Sequence, residues 1–156
     1  MRVHFASDHA GLELKNELFA FVRDELRLQV EDCGTFTNDP QDDYPAFIAC
    51  AARAVLHDIA SGVESCGIVL GASGTGEAIV ANKFHGIRAA LYYGGNENII
   101  RLSREHNDTN VLSLSARFIS PDEAKSAVRL WLSTPFSKEE RHIRRIGQIE
   151  TVAHEQ

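Results

Sequence analysis

"CGIVLGASGTGEAIVANK", residues 66–83, joins three patterns in eighteen positions. Cys66 to Leu70 is an unbroken apolar run, as expected of a strand buried on both faces of a parallel sheet. Gly71 to Glu77 is a glycine-rich turn. Ala78 to Lys83 suits a helix. A strand, a glycine turn and a helix in that order predict a βα unit whose turn lies at the carboxyl edge of a sheet, where α/β proteins bind their ligands.

Outward from this unit, strand and helix alternate. Arg2 to Ser7 is β-prone. Gly11 to Arg27 predicts a helix, with Leu14, Leu18, Val22 and Leu26 recurring every four residues. Leu28 to Glu31 predicts a second strand, and a polar loop covers 34–43. Tyr44 to Ala60 is alanine-rich and helical by propensity. Gly67 to Leu70 is the third strand and Gly74 to Asn82 a short helix. Ile87 to Tyr92, Asn98 to Glu105 and Val111 to Leu114 continue as strand, helix and strand. Ser120-Pro121-Asp122-Glu123 combines an N-cap serine, a first-turn proline and a capping-box glutamate, so a helix starts there. Ser137-Lys138-Glu139-Glu140 repeats that spacing and predicts a last helix over about 137–155. The expectation is one α/β domain over 1–156: a Rossmann-like three-layer α/β/α sandwich with a five-stranded parallel sheet.

Composition narrows the function. A net charge of -6 argues against non-specific nucleic-acid binding. No apolar run is long enough for a membrane span, and Met1 to Asp8 reads as a strand rather than a signal peptide. Cys33, Cys50 and Cys66 are odd in number and show no metal or redox spacing, which predicts reduced thiols in a cytoplasmic protein.

The glycine turn is neither a P-loop, lacking the Gly-Lys-Ser/Thr end, nor a dinucleotide fingerprint, because Ile79 stands where the third glycine belongs. Glu77 would repel a phosphate held in the turn. Backbone N–H groups there suit a smaller, developing oxyanion, and an adjacent carboxylate can take a proton from a carbon next to a carbonyl. By itself, a first-turn glutamate is also common for its favourable interaction with the helix dipole.

Other polar stretches add to this. Asp8-His9 follows the first strand, where an Asp–His pair can move protons or Asp8 can cap the next helix. His106-Asn107-Asp108-Thr109-Asn110 precedes the fifth strand. His106 offers an imidazole for proton shuttling, and the run is also a turn-former. The remaining histidines, His4, His57, His85, His142 and His154, lack ligand spacing and read as structural or surface residues; no metal is expected. Arg141 and Arg145 share a helix face and have no carboxylate three or four residues away, so they lean toward an external anion. Arg144 has Glu140 four residues before it.

Seven stretches together resemble the type B ribose-5-phosphate isomerases, a family that includes galactose-6-phosphate isomerase subunits. They are Ser7-Asp8-His9-Ala10-Gly11, Asp43-Tyr44-Pro45, Gly71 to Glu77, Ala81-Asn82-Lys83, Gly86-Ile87-Arg88, Arg104-Glu105-His106-Asn107 and Arg141-His142-x-Arg144-Arg145. They run in family order over nearly the whole chain. The resemblance implies aldose–ketose isomerisation of a pentose phosphate through a cis-enediolate, with neither metal nor cofactor. One family branch keeps a cysteine base where this chain has Gly71; another has a glutamate where Glu77 stands, and this chain resembles the second.

The resemblance further implies that Glu77 transfers the proton and that His106 and Asp8 assist ring opening. Asn107 and the backbone of Ser73, Gly74, Thr75 and Gly76 would hold the enediolate. His9, Arg117, Arg141 and Arg145 would hold the phosphate, with Tyr44 and Ser73 lining the site. It also implies homodimers, or dimers of dimers, with His106 supplied by the neighbouring chain and the last helix at a subunit interface. Two alternatives stay open: another sugar phosphate, a tetrulose or hexose phosphate selected by loops 34–43 and 92–98, and a non-catalytic phosphosugar-binding module.

Overall fold

A computed structural model describes residues 1–154. The sheet has five parallel strands: β1 (Arg2–Ser7), β2 (Gln29–Asp32), β3 (Ser65–Gly71), β4 (Ala89–Tyr92) and β5 (Val111–Ser115). Their order is β2-β1-β3-β5-β4. β3 is central and buried along its whole length. β2 and β4 are the edges and are only partly buried; β2, the more exposed, carries Gln29, Glu31 and Asp32 among its four residues.

Side chains alternate between two cores. Val3, Phe5, Ile68, Leu70, Leu112 and Leu114 face α1 (Leu12–Asp24), α4 (Asn98–Asn107) and α5 (Pro121–Ser133). Ala6, Val69 and Val111 face α2 (Tyr44–Ala60) and α3 (Thr75–Ala81). The result is the three-layer α/β/α sandwich expected. The last helix, α6 (Glu140–His154), packs on α4. No helix among the described residues is long and apolar enough to cross a membrane.

Two helix boundaries and one capping box differ from the sequence pattern, each for a local reason. The first helix stops at Asp24 rather than Arg27, because Arg27 turns left-handed (φ 58°) and Leu28 N–H bonds back to the Val22 carbonyl. At α5 the Ser120 hydroxyl caps Glu123 N–H at 3.2 Å. The Glu123 carboxylate does not close the capping box; it accepts from Tyr92 Oη at 2.9 Å and Gly95 N at 3.3 Å. Ser137 does not cap α6 either. Lys138 is left-handed (φ 56°), and the Glu139 carbonyl accepts from His142 and Ile143, so the helix begins at Glu140. Residue 155, the end of the expected last helix, lies outside the described residues, as does the side chain of His154.

Candidate active site

β1 leads outward to β2 and then back across to β3, so the chain reverses direction between β1 and β3. That switch point leaves a crevice beyond their carboxyl ends. Asp8, from β1, and the 71–77 turn, from β3, both open there.

β5 shapes the turn. Ser113 Oγ donates to the Gly74 carbonyl at 2.6 Å and Ser115 Oγ to the Ala72 carbonyl at 2.8 Å. Holding the Ala72 carbonyl against β5 aims the Ser73 N–H the opposite way, because the peptide is planar and trans. Gly74 is obligatory: its φ is 76°, and a Cβ would sit 2.9 Å from the Leu114 backbone. Ser73 spends its hydroxyl on Thr75 N–H, at 3.2 Å. The Tyr44 ring covers Gly76 so closely that a Cβ there would lie 2.7 Å from its hydroxyl.

Glu77 is buried, at 4 % exposure. Its carboxylate folds back into the space left by the missing side chain of Gly71, where a Cβ would overlap it. Burial pushes its pKa up; its own backbone N–H opposes that, and the Asp8 charge adds to it. Among the described residues no arginine acts on it. Such a carboxyl is more basic than a solvated one, as a proton acceptor at carbon requires.

Asp8 is also buried and caps the following 3₁₀ turn, Oδ1 accepting from Gly11 N at 3.1 Å. The expected cap is present, and the capping carboxylate stands at the crevice beside the 71–77 turn. His9 meets Asp42, which the sequence reasoning missed: Nδ1 lies 2.6 Å from Oδ1, and the His9 N–H donates to Oδ2 at 3.0 Å. That hydrogen bond raises the His9 pKa, with the Asp8 charge adding and Arg117 opposing. Asp8, His9 and Asp42 are close enough to share a cation. Two of the three are already bonded to each other directly, His9 Nδ1 to Asp42 Oδ1.

The other expected residues gather elsewhere. α4 runs from the carboxyl end of β4 to the amino end of β5, which puts His106 and Asn107 at the opposite end of the sheet from Glu77. The five residues of β5 separate the two ends by roughly 17 Å. There His106 stacks on His142, with centroids 4.2 Å apart and planes 13° from parallel. His142, expected to be structural or at the surface, is buried, and among the described residues Nε2 has no hydrogen-bond partner. Burial lowers its pKa, and the neighbouring His106, Arg141 and Arg145 add to the effect. Arg145 and Asn107 border one shallow hollow with Gln148, Ile149 and Val152. Arg141 is not unpartnered: its Nε lies 2.8 Å from Glu139 Oε2, a residue just outside the helix. Arg144 makes no ion pair with Glu140 among the described residues.

The residues expected in the site thus fall into two groups at opposite ends of the sheet. Asp8, His9, Tyr44, Ser73 to Gly76, Glu77 and, by its field on His9, Arg117 lie at one end. His106, Asn107, Arg141 and Arg145 lie at the other. Residues 3–149 match the family model described as "Ribose/Galactose Isomerase". The chain belongs to the ribose/galactose isomerase family. Among the relatives of this isomerase-family chain is a ribose-5-phosphate isomerase B from Mycolicibacterium paratuberculosis, 43 % identical over 146 residues, covering 94 % of this chain and 87 % of the relative. The fold superposes on the structure of Clostridium thermocellum ribose-5-phosphate isomerase B with a TM-score of 0.89 at 37 % identity, over 99 % of both chains. It also superposes on that of Mycoplasma genitalium ribose-5-phosphate isomerase B with bound ribulose 5-phosphate, at TM-score 0.89 and 34 % identity, over 99 % and 97 % of the chains.

Proposed function

We propose that this chain interconverts ribose 5-phosphate and ribulose 5-phosphate, with Glu77 as the proton-transferring base. The observation that carries this is the Glu77 carboxylate, buried and without a cationic partner, in the niche left by Gly71. The names of the relatives supply the substrate class.

In the proposed reaction Asp8 and His106 move protons as the furanose ring opens. Glu77 takes the proton from C2, and the C–H electron pair makes the C1–C2 double bond while O1 becomes the enediolate oxygen. The amides of the 73–76 turn and Asn107 stabilise that charge. The same carboxyl then delivers the proton to C1 as the O2 proton passes to O1, so that C2 becomes the carbonyl and O1 the new hydroxyl. His9, Arg117, Arg141 and Arg145 hold the phosphate away from Glu77, which keeps the base free of a neutralising guanidinium.

The separation of the two groups supports an active form that is an assembly, in which one copy presents Glu77 and another presents His106. α6 supplies part of that interface, since Ile143, Ile149 and Val152 are exposed on it. A homodimer, or a dimer of dimers, in the cytoplasm fits this arrangement. Following ribulose 5-phosphate formation from ribose 5-phosphate tests the function; absence of turnover at high enzyme concentration refutes it. A panel of tetrose, pentose and hexose phosphates compared by kcat/KM should rank ribose 5-phosphate first, and a better hexose phosphate would reassign the substrate.

A further inference from the structure

The loop between β2 and α2 is held by a buried lysine. Lys15 of α1, fully buried, donates to both Asp32 oxygens at 2.7 Å and to the Thr35 carbonyl at 2.7 Å. Thr35 N–H in turn bonds the Ser7 carbonyl at 2.7 Å, and Ser7 N–H bonds the Gly34 carbonyl at 2.7 Å. The start of the loop is therefore stitched to the end of β1, and its far end brings Asp42 onto His9.

We propose that Asp42 is a positioning residue for substrate binding: its carboxylate fixes the His9 ring through Nδ1 and holds Nε2 as a proton donor to the sugar phosphate. Two contacts fix the geometry. One is the ring bond at 2.6 Å, the other the backbone bond at 3.0 Å, so both the ring and its Cα are set by one carboxylate. A carboxylate at Nδ1 demands N–H there, which leaves Nε2 to carry either a lone pair or the second proton. The groups facing His9 decide which. Asp8 from the end of β1 and Asp42 from the loop favour the imidazolium; Arg117, after β5, opposes it. With the Asp42 hydrogen bond the largest influence, the charged form extends to higher pH. A neutral His9 would offer the phosphate no N–H at Nε2.

The inference rests on reading this crevice as a sugar-phosphate site, and its test separates the two. Histidine NMR titration of the full chain without substrate should show His9 losing its proton at higher pH than a free histidine, and at lower pH in Asp42→Asn. In steady-state kinetics, Asp42→Asn should raise KM for ribose 5-phosphate about tenfold on the alkaline side, the scale of one charge-assisted hydrogen bond. kcat should fall less. Inorganic phosphate should weaken as a competitive inhibitor in parallel, and Asp42→Glu should recover most of the loss. Asp42→Ser gives the same readout should the asparagine variant fail to fold. A wild-type His9 that titrates no higher than a free histidine overturns the role of Asp42, as does an unchanged KM–pH profile in a folded variant. A wild type that does not turn over ribose 5-phosphate refutes the reaction instead.

Discussion

Replacing Gly71 by alanine adds one methyl group and should disable the enzyme without unfolding it. The new Cβ would lie 2.6 Å from Glu77 Oε2, and nearer still to Oε1 and Cδ. Restoring van der Waals contact requires the carboxylate to move by about 1 Å or more. The obstructing atoms end a flexible side chain, so the side chain yields and the backbone does not. A displacement of that size at a reacting group costs about 10²-fold. The accompanying overpacking, about 1–3 kcal/mol, should lower Tm by up to about 10 °C. Gly67→Ala is the control on the same strand: its Cβ would meet Val111 Cγ2 at 3.2 Å, far from the crevice, and activity should survive. The assay is kcat/KM for ribose 5-phosphate alongside Tm for both variants. A folded Gly71→Ala enzyme within about threefold of wild type would refute the placement of the base, since so small a loss is under 1 kcal/mol of barrier.

Glu77→Gln should lower kcat by about 10²–10⁴-fold. It should also raise Tm at neutral pH, because burial of the charged carboxylate costs stability. The folded-state pKa of Glu77 is raised, so that cost is present above it and is relieved as pH falls through it. The wild type should therefore gain on the variant in Tm as pH is lowered, and parallel Tm–pH curves would contradict this. Lys15→Met should lose about 3 kcal/mol in urea denaturation, since Asp32 keeps its charge and loses its partner. Full retention of stability would show that the pair contributes nothing net.

The core of the fold is legible because β3 is buried on both faces and needs an unbroken apolar run, and because Ser120 and Pro121 mark α5 with local chemistry. The start of α6 is not, because the capping-box spacing at Ser137 is overridden by a left-handed turn at Lys138, with Ser137 N–H tied to the Glu105 carbonyl of α4. Asp8 after β1 and Glu77 in the helix after β3 are legible as carboxylates placed at the carboxyl edge of the sheet. The Gly71 niche is not: nothing local says that a side chain six residues on folds back over it. Asp42 pairs with His9 across 33 positions, beyond any short-range rule. The Glu139 partner of Arg141 escapes for the opposite reason, lying two residues away and outside the helix, where the three-and-four spacing does not look. That His106 and Glu77 lie at opposite ends follows from element order alone, since a helix entering β5 must end at its amino edge.

The proposed meeting of Glu77 from one copy with His106 from another makes a demanding test possible. Glu77→Gln and His106→Asn chains, each inactive alone, are co-expressed with different tags and the mixed assembly is purified. In a dimer with shared sites, one of the two sites of a hybrid pairs an intact Glu77 with an intact His106, and the other carries both substitutions. The purified hybrid should show about half of wild-type kcat per dimer, at wild-type KM. A hybrid as inactive as its parents would contradict the account, placing Glu77 and His106 in the same chain's site or removing one of them from the reaction.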